Sequence, residues 1–275
     1  MKNIVITGST KGIGYGLAKE FLKKGCSVAI SARGQATLDK VMKEFGDEFG
    51  ADKIHGQTCD VSDISQIQSL WDSSKKKFGS VDIWINNAGV SNEIGPAWSV
   101  DADAMKSIVN TNIVGNLYGI KVPMAGMMEQ GDGDIYNMYG FGSWDELTPP
   151  GLTVYGTTKR AVRYLTEALI LEAKDTPVRI GWMMPGVVVT DFVYKLLKSV
   201  PAGPPREGLA KMISVIADTV ETVTPWLAEE CLKHVDKKTH GAEINWMPQE
   251  KNDARKKDPE YLNRNLFEDI DVNKL

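Results

Sequence analysis

Cysteine is scarce in this 275-residue chain: Cys26, Cys59 and Cys231 are odd in number and far apart. That argues against a disulfide framework and against the ligand spacing of a zinc site. Excess positive charge is also missing. Lysine and arginine total 32 against 36 aspartates and glutamates, a net charge of −4, and the pI is near 5.5. Such a balance offers no basic field for nucleic acid or anionic lipid. No apolar run approaches the ~20 residues that span a bilayer. Met1 leads at once into Asn3-Ile-Val-Ile-Thr7, strand-like rather than a basic segment with a long apolar run behind it, so no secretory signal is read. No internal repeat is evident. These absences set the expectation of a cytoplasmic protein without a nucleic-acid partner or a membrane span.

What is present is alternation. β-branched runs at 3–7, 27–31, 53–58, 82–87, 134–138, 178–184 and 242–246 are interleaved with helical patterns at about 12–24, 35–49, 63–77, 101–129, 154–174 and 220–235. Strand, helix, strand repeated in this way predicts an α/β fold, a Rossmann-type doubly wound parallel sheet of about seven strands with helices on both faces. The connections are short until residue 190. There 191–206, with Pro201, Pro204 and Pro205, breaks the rhythm and reads as a mobile lid. A single domain over 1–248 is expected, followed by a charged surface extension, 249–275, rich in Lys, Asp, Asn and Glu.

Thr7-Gly-Ser-Thr-Lys-Gly-Ile-Gly14 follows the first strand and opens the first helix. Gly8 suits a tight turn, Gly12 lets backbone approach a pyrophosphate, and Gly14 permits close helix packing. The phosphates then meet the positive end of the helix dipole and its free N–H groups. Ser9, Thr10, Lys11 and Ile13 belong to the same turn. A lone glycine triplet is also compatible with an ordinary strand-to-helix turn; its flanks make the nucleotide reading the better one.

The pattern Tyr-x-x-x-Lys carries little weight alone, because it occurs as Tyr15/Lys19, Tyr155/Lys159 and Tyr194/Lys198. Only Tyr155/Lys159 follows, in order, the glycine turn, an Asn86-Asn-Ala-Gly89 strand end, a mid-chain asparagine and a serine twelve residues before the tyrosine. That ordered set, from Lys2 to about Thr190, resembles the short-chain dehydrogenase/reductase family. The resemblance implies hydride transfer between a nicotinamide and a small-molecule carbonyl or alcohol. Tyr155 would be the acid/base. Its unperturbed pKa of about 10 is too high for easy turnover, and Lys159, roughly 6 Å further along the same helix face, would favour the phenolate. Both residues would also touch cofactor. Asn112 would hold a water of the proton relay, with Asn110 and Asn116 as nearby competitors. Asp60 and Val61 would meet the adenine, Asn87, Ala88 and Gly89 the ribose, and Pro185, Gly186, Val188 and Thr190 the nicotinamide carboxamide. Asp63 reads instead as a helix N-cap.

Ala32 stands where the family carries a carboxylate for the ribose 2′-hydroxyl, and Arg33 follows it. With Lys11 this makes two cations and no anion, so NADP(H) is the expected cofactor. Chains of this family are usually oligomers, and 154–174 is apolar on more than one face; a homodimer or homotetramer is expected.

The chain departs from the family at its serine. The usual Asn-x-Ser-Ser is replaced by Asn137-Met-Tyr-Gly-Phe-Gly-Ser143. Ser143 is the only serine between Ser107 and Tyr155 and is taken to polarise the carbonyl, with Thr153 as the alternative. This stretch, with Val-Tyr-Gly-Thr-Thr-Lys159 and Pro185-Gly-Val-Val-Val-Thr-Asp191, resembles the chlorophyll b reductase branch, which reduces a formyl group on a large ring. Tyr139, Phe141, Trp144, Phe192 and Tyr194 form a flat wall for such a ring or simply pack loop and lid on the core; the residues allow both. A non-catalytic nucleotide sensor or scaffold on the same fold is the alternative function, against which the complete Asn112, Ser143, Tyr155, Lys159 set speaks.

Overall fold

The computed structural model describes residues 1–144 and 151–275. β1 (Asn3–Ile6), β2 (Ser27–Ala32), β3 (Ile54–Thr58), β4 (Ile83–Asn86), β5 (Gly133–Met138) and β6 (Val178–Met184) alternate with α1 (Gly12–Lys23), α2 (Gln35–Phe49), α3 (Ile64–Phe78), the pair α4 (Ala102–Val109) and α5 (Gly115–Gln130), and α6 (Thr153–Glu172). Then come β7 (Val187–Val189), α7 (Asp191–Lys198), α8 (Pro204–Ile216), β8 (Ala217–Thr219), α9 (Val220–Asp236), β9 (Ala242–Asn245), α10 (Gln249–Arg255) and α11 (Pro259–Asn263).

The main sheet runs β3-β2-β1-β4-β5-β6-β9, with every pairing parallel. Its direction of growth reverses between β1 and β4, and in such sheets ligands bind beyond the carboxyl ends of the strands at that point. Alternate residues feed two cores. Ile4, Ile6, Val28 and Ile30 pack under α1, α2 and α9, whereas Val5, Ala29, Trp84 and Ile135 pack under α3, α5 and α6. Burial on both faces is why these strands read as unbroken apolar runs.

A polar seam crosses the second core. Trp84 Nε1 donates to Asn86 Oδ1 (2.8 Å), and Asn86 Nδ2 donates to Gly119 O and Asn137 Oδ1 (2.9 Å each). Asn137 Nδ2 donates to Thr166 Oγ1 (2.9 Å), whose hydroxyl donates to Val162 O. A side chain at 119 would collide with the Asn86 carboxamide, so α5 reaches the sheet only because that residue is glycine. The seam fixes α6 against β5.

The seven strands and six helical fields lie where the pattern placed them, within two residues at their ends, with one interruption. Between α4 and α5, Asn110–Val114 forms a π-turn, one residue wider than the α-helix around it. Two regions differ from expectation. Residues 191–206 form α7 and the start of α8 rather than an irregular stretch. Residues 249–275 lie at the surface, but Arg255 and Phe267 are only 4% and 3% exposed; apolar contacts and one buried guanidinium fasten the segment to the body. Short strands β7 and β8, paired to each other beside the main sheet, had no legible pattern at three residues each.

Candidate active site

A cleft of about 500 Å³ opens along the carboxyl ends of the strands. At one end lies the glycine turn. Gly8 and Gly12 adopt φ of 63° and 58°, a left-handed conformation that costs other residues energy. A Cβ on Gly14 would stand 2.7 Å from Gly8 O. The first turn of α1 has no side-chain cap among the described residues, so its free N–H groups remain for an anion. Asn87 clamps this turn from β4: its Nδ2 donates to Thr7 O and Gly8 O at 2.9 and 3.0 Å, while Thr7 Oγ1 accepts from the Asn87 and Ala88 amides. The geometry fits a dinucleotide phosphate.

Of the residues expected to hold cofactor, all but Ser9 line the cleft. Ser9 is fully buried; its hydroxyl donates to Ile6 O (2.6 Å) and accepts from Ser31 N (3.0 Å), so it joins β1 to β2. Asp63 caps α3 through Ser65 N. The expectation of two cations without an anion needs correction. Lys11 Nζ pairs with Asp191 Oδ2 at 2.8 Å, and Lys11 holds that carboxyl below its ordinary range. Asp191 opens α7, 180 residues away, and only folding brings it here. Arg33 lines the cleft at its exposed rim, without an ion pair among the described residues.

At the other end, α6 presents Tyr155 and Lys159 on one face. The Tyr155 amide, an orphan donor of the first helical turn, is accepted by Asn92 Oδ1 at 3.1 Å. Phe192 lies with its ring 5.4 Å from that of Tyr155. Burial raises the Tyr155 pKa above that of a free phenol. Lys159 is 5% exposed; burial lowers its pKa to about 8, and its Nζ donates to Met138 O at 2.9 Å. At neutral pH it still carries charge, without a carboxylate partner among the described residues.

Asn112 sits in the π-turn, 1% exposed. Its Oδ1 accepts from Val90 N, and its Nδ2 donates to Val90 O and Thr158 Oγ1. Both ends of the side chain are thus engaged with protein, tying the loop after β4 to α6. Asn116 Nδ2 donates to Asn112 O.

Ser143 is the main correction. It is 0% exposed and does not line the cleft. Its hydroxyl accepts from Gly140 N (3.2 Å) and donates to Lys159 O (3.3 Å), closing the 140–143 turn onto α6. Thr153, the alternative, also lies off the cleft. The position beside the tyrosine is instead Gly140, where an added Cβ would lie 2.6 Å from Tyr155 Oη and 3.3 Å from Lys159 Cε. Counting from Asn137, Gly140 stands at the second serine of Asn-x-Ser-Ser; that register, rather than distance from Tyr155, was the available signal.

The aromatic residues divide. Tyr139, Phe141 and Phe192 line the cleft, whereas Trp144 and Tyr194 do not. The Tyr139 ring stacks on Trp182 (4.8 Å, 3°), with Trp144 edge-on to both, while Tyr194 packs against Phe267 and takes no part in the cleft. Tyr15 bonds Glu44 and Lys19 pairs with Glu48, far from any reacting group.

A family model described as short chain dehydrogenase matches residues 2–200. The rice protein chlorophyll(ide) b reductase NOL, chloroplastic, is 34% identical over 231 residues, covering 82% of this chain and 65% of that protein; this chain therefore spans less than two thirds of its length. A closed form of serine dehydrogenase complexed with NADP+ superposes with a TM-score of 0.72 at 26% identity, over 88% of this chain and 93% of the other. A 3-ketoacyl-(acyl-carrier-protein) reductase from Brucella melitensis complexed with NADH gives 0.75 at 24% identity over 89% and 96%, a likeness of fold.

Because a Cβ at 140 must displace the tyrosine hydroxyl, Gly140→Ala is expected to lower any turnover at least ~100-fold, the scale of losing a positioned acid. Nucleotide affinity by fluorescence titration should change little, since Gly140 is remote from the glycine turn. Undiminished turnover would show that the Tyr155 hydroxyl works from another place.

Proposed function

The chain belongs to the short-chain dehydrogenase family, on its chlorophyll(ide) b reductase-like branch, and from that premise we propose that this oxidoreductase is an NADP(H)-dependent reductase of a carbonyl, a formyl group on a large cyclic molecule being the preferred substrate class. One observation carries the reading: Tyr155 and Lys159 share one face of α6 on the wall of a cleft whose other end is a glycine turn open to phosphate. A bound nicotinamide supplies the hydride, or accepts it in reverse. Tyr155 Oη donates the proton to the oxygen that gains negative charge. Lys159, desolvated and cationic, lowers the cost of the phenolate that remains. Asn112 acts as a positioning residue for α6. Ser143 holds the turn that leaves Gly140 bare beside the acid. No side-chain hydroxyl other than that of Tyr155 is assigned to the carbonyl oxygen.

Bulk beside the reacting carbon is tolerated by this design. Gly140 contributes no side chain, and Phe141 and Phe192 offer apolar surface for a ring. Arg33 supports the NADP(H) preference through charge-assisted bonds to a 2′-phosphate; Lys11 contributes only if it leaves Asp191. Leu171 and Tyr164 on α6 and Leu117 on α5 are 72%, 76% and 43% exposed, an apolar face suited to a second copy of the chain.

Three outcomes are expected. With NADPH and a panel of aldehydes, followed by nicotinamide absorbance, Tyr155→Phe turns over at least ~100-fold more slowly with unchanged NADPH affinity; normal turnover by this variant would end the reductase reading and leave a nucleotide-binding module. Arg33→Ala weakens NADPH by ~1.5–3 kcal/mol, the range for hydrogen bonds to charged groups, and leaves NADH nearly untouched in calorimetric titration; equal losses would remove the cofactor assignment. Light scattering at micromolar concentration should give at least a dimer, and a monomer would refute the α5–α6 face.

A further inference from the structure

We propose that the C-terminal segment 249–275 is a strap that positions the substrate-side wall of the cleft, holding α7 as a fixed roof over Tyr155. The wall is carried by α7, whose Phe192, Lys195 and Leu196 line the cleft. The Phe192 ring lies 5.4 Å from that of Tyr155, so α7 sets the space open to a substrate beside the acid. Among the described residues, polar restraint on this helix from the cleft side comes from the exposed Lys11–Asp191 pair and, just past its end, from one bond of Ile94 N to Ser199 Oγ (3.1 Å). An exposed ion pair contributes little rigidity.

The opposite side of α7 is anchored by the strap. Val193 and Leu197, 1% and 0% exposed, share a separate apolar cluster with Ala210, Ile213 and Ala217, and Phe267 completes it at 3% exposure. Leu266, Val272 and Leu275 of the same segment also pack against that cluster. The turn from α7 to α8 is gripped by the same strap. Arg206, 7% exposed, donates to Val200 O at 3.0 Å, Lys198 O at 3.3 Å and Val272 O at 3.1 Å. Asn273 accepts from Gly203 N (2.7 Å) and donates to Glu207 (2.7 Å).

A buried charge cluster fastens the strap at its base. Asp218, 4% exposed, accepts from Trp246 Nε1 at 2.7 Å and pairs with Arg255 at 2.9 Å and Arg264 at 3.3 Å. The two guanidiniums lie over the Tyr261 ring, 4.5 and 4.7 Å from its centroid. Asp218 belongs to β8 and stands in register with Val188 of β7, itself a cleft residue. Arg264 also donates to Ser214 O at 2.8 Å. The strap is therefore attached at three points: the far side of α7, the α7–α8 turn, and the strand beneath the cofactor end of the cleft. Asp218 and Arg206, each buried with several partners, make poor sliding surfaces, since displacement leaves a desolvated charge unpaired.

The consequence is a roof that is set before substrate arrives. Substrate binding would not have to order it, and the space between Phe192 and Gly140 would be a fixed dimension that selects substrate.

The test uses the full chain. In Phe267→Ala, hydrogen exchange of the 191–198 amides should quicken at least ~10-fold while β1, β4 and β5 amides keep their protection, as expected for a local opening. The Km for a carbonyl substrate should rise at least ~5-fold with kcat within about 2-fold, a loss in binding rather than chemistry, and Phe267→Leu should restore both. Asn273→Ala, which removes only the two bonds at the α7–α8 turn, should move the same amides in the same direction by less. Unchanged exchange at 191–198 in Phe267→Ala would overturn the proposal, as would a uniform loss of protection across the sheet with Km unaltered. The Km arm rests on the reductase reading. Should the wild type reduce no carbonyl, that reading fails, and the exchange arm still decides the strap.

Discussion

Buried carboxamides are the constraint on which this molecule depends. Asn86, Asn112 and Asn137 are all below 5% exposure, and Asn87 is half-buried beside them. A buried polar group left without a partner costs about 1–3 kcal/mol, so each of these side chains dictates where its neighbours must be. Asn87 dictates the glycine turn. Asn86 and Asn137 dictate the spacing of β4, β5, α5 and α6, and Asn112 joins the loop after β4 to Thr158 of α6. The phosphate end and the acid end of the cleft belong to different elements, yet both hang from the ends of β4 and β5 through these amides. On the proposed reading, the distance between hydride donor and proton donor is thereby a property of the sheet.

The chemistry at the acid end follows from desolvation. Tyr155 and Lys159 are both moved away from their ordinary proton affinities by burial, in opposite senses: the phenol becomes harder to ionise, and the ammonium easier to discharge. A cation without a carboxylate partner among the described residues, next to a reluctant acid, is relieved when negative charge develops on the tyrosine oxygen. Gly140 sharpens the geometry by omission. Where the family pattern has a hydroxyl side chain, this chain has none, and the serine further along has become part of the scaffold, bonded to the very helix residue, Lys159, whose position matters. The polar work of the loop has moved from substrate to backbone.

Lys11 and Asp191 illustrate a second tension. A cation in the glycine turn can serve a phosphate or a carboxylate, and Asp191 offers it the carboxylate. Since both partners are largely exposed, their attraction is weak and screened, and a dianionic ligand can compete. The same pair also reaches from the nucleotide end to the roof of the substrate end, whose outer side is tied down by Phe267, Arg206 and the Asp218 cluster.

Much was legible before any coordinates. Unbroken β-branched runs and helical patterns located seven strands and six helical fields, because burial on both faces of a parallel sheet leaves long apolar runs, and the order of the motifs identified the family and the cleft. Gly8 and Gly12 could be read because their backbone turns favour glycine, and Tyr155/Lys159 because one helical turn places them together. Residue order determined these features, since each depends on neighbours within a few positions or on an ordered series of them. Tertiary structure alone decided the rest. Ser143 turned inward because the amide of Gly140 and the carbonyl of Lys159 needed partners; Asp191 met Lys11 across 180 residues; and a polar-looking tail became a strap because Phe267 found an apolar cluster and Asp218 found two arginines. Contacts between distant segments are set by which buried groups must be satisfied at once, and no short stretch of sequence records that.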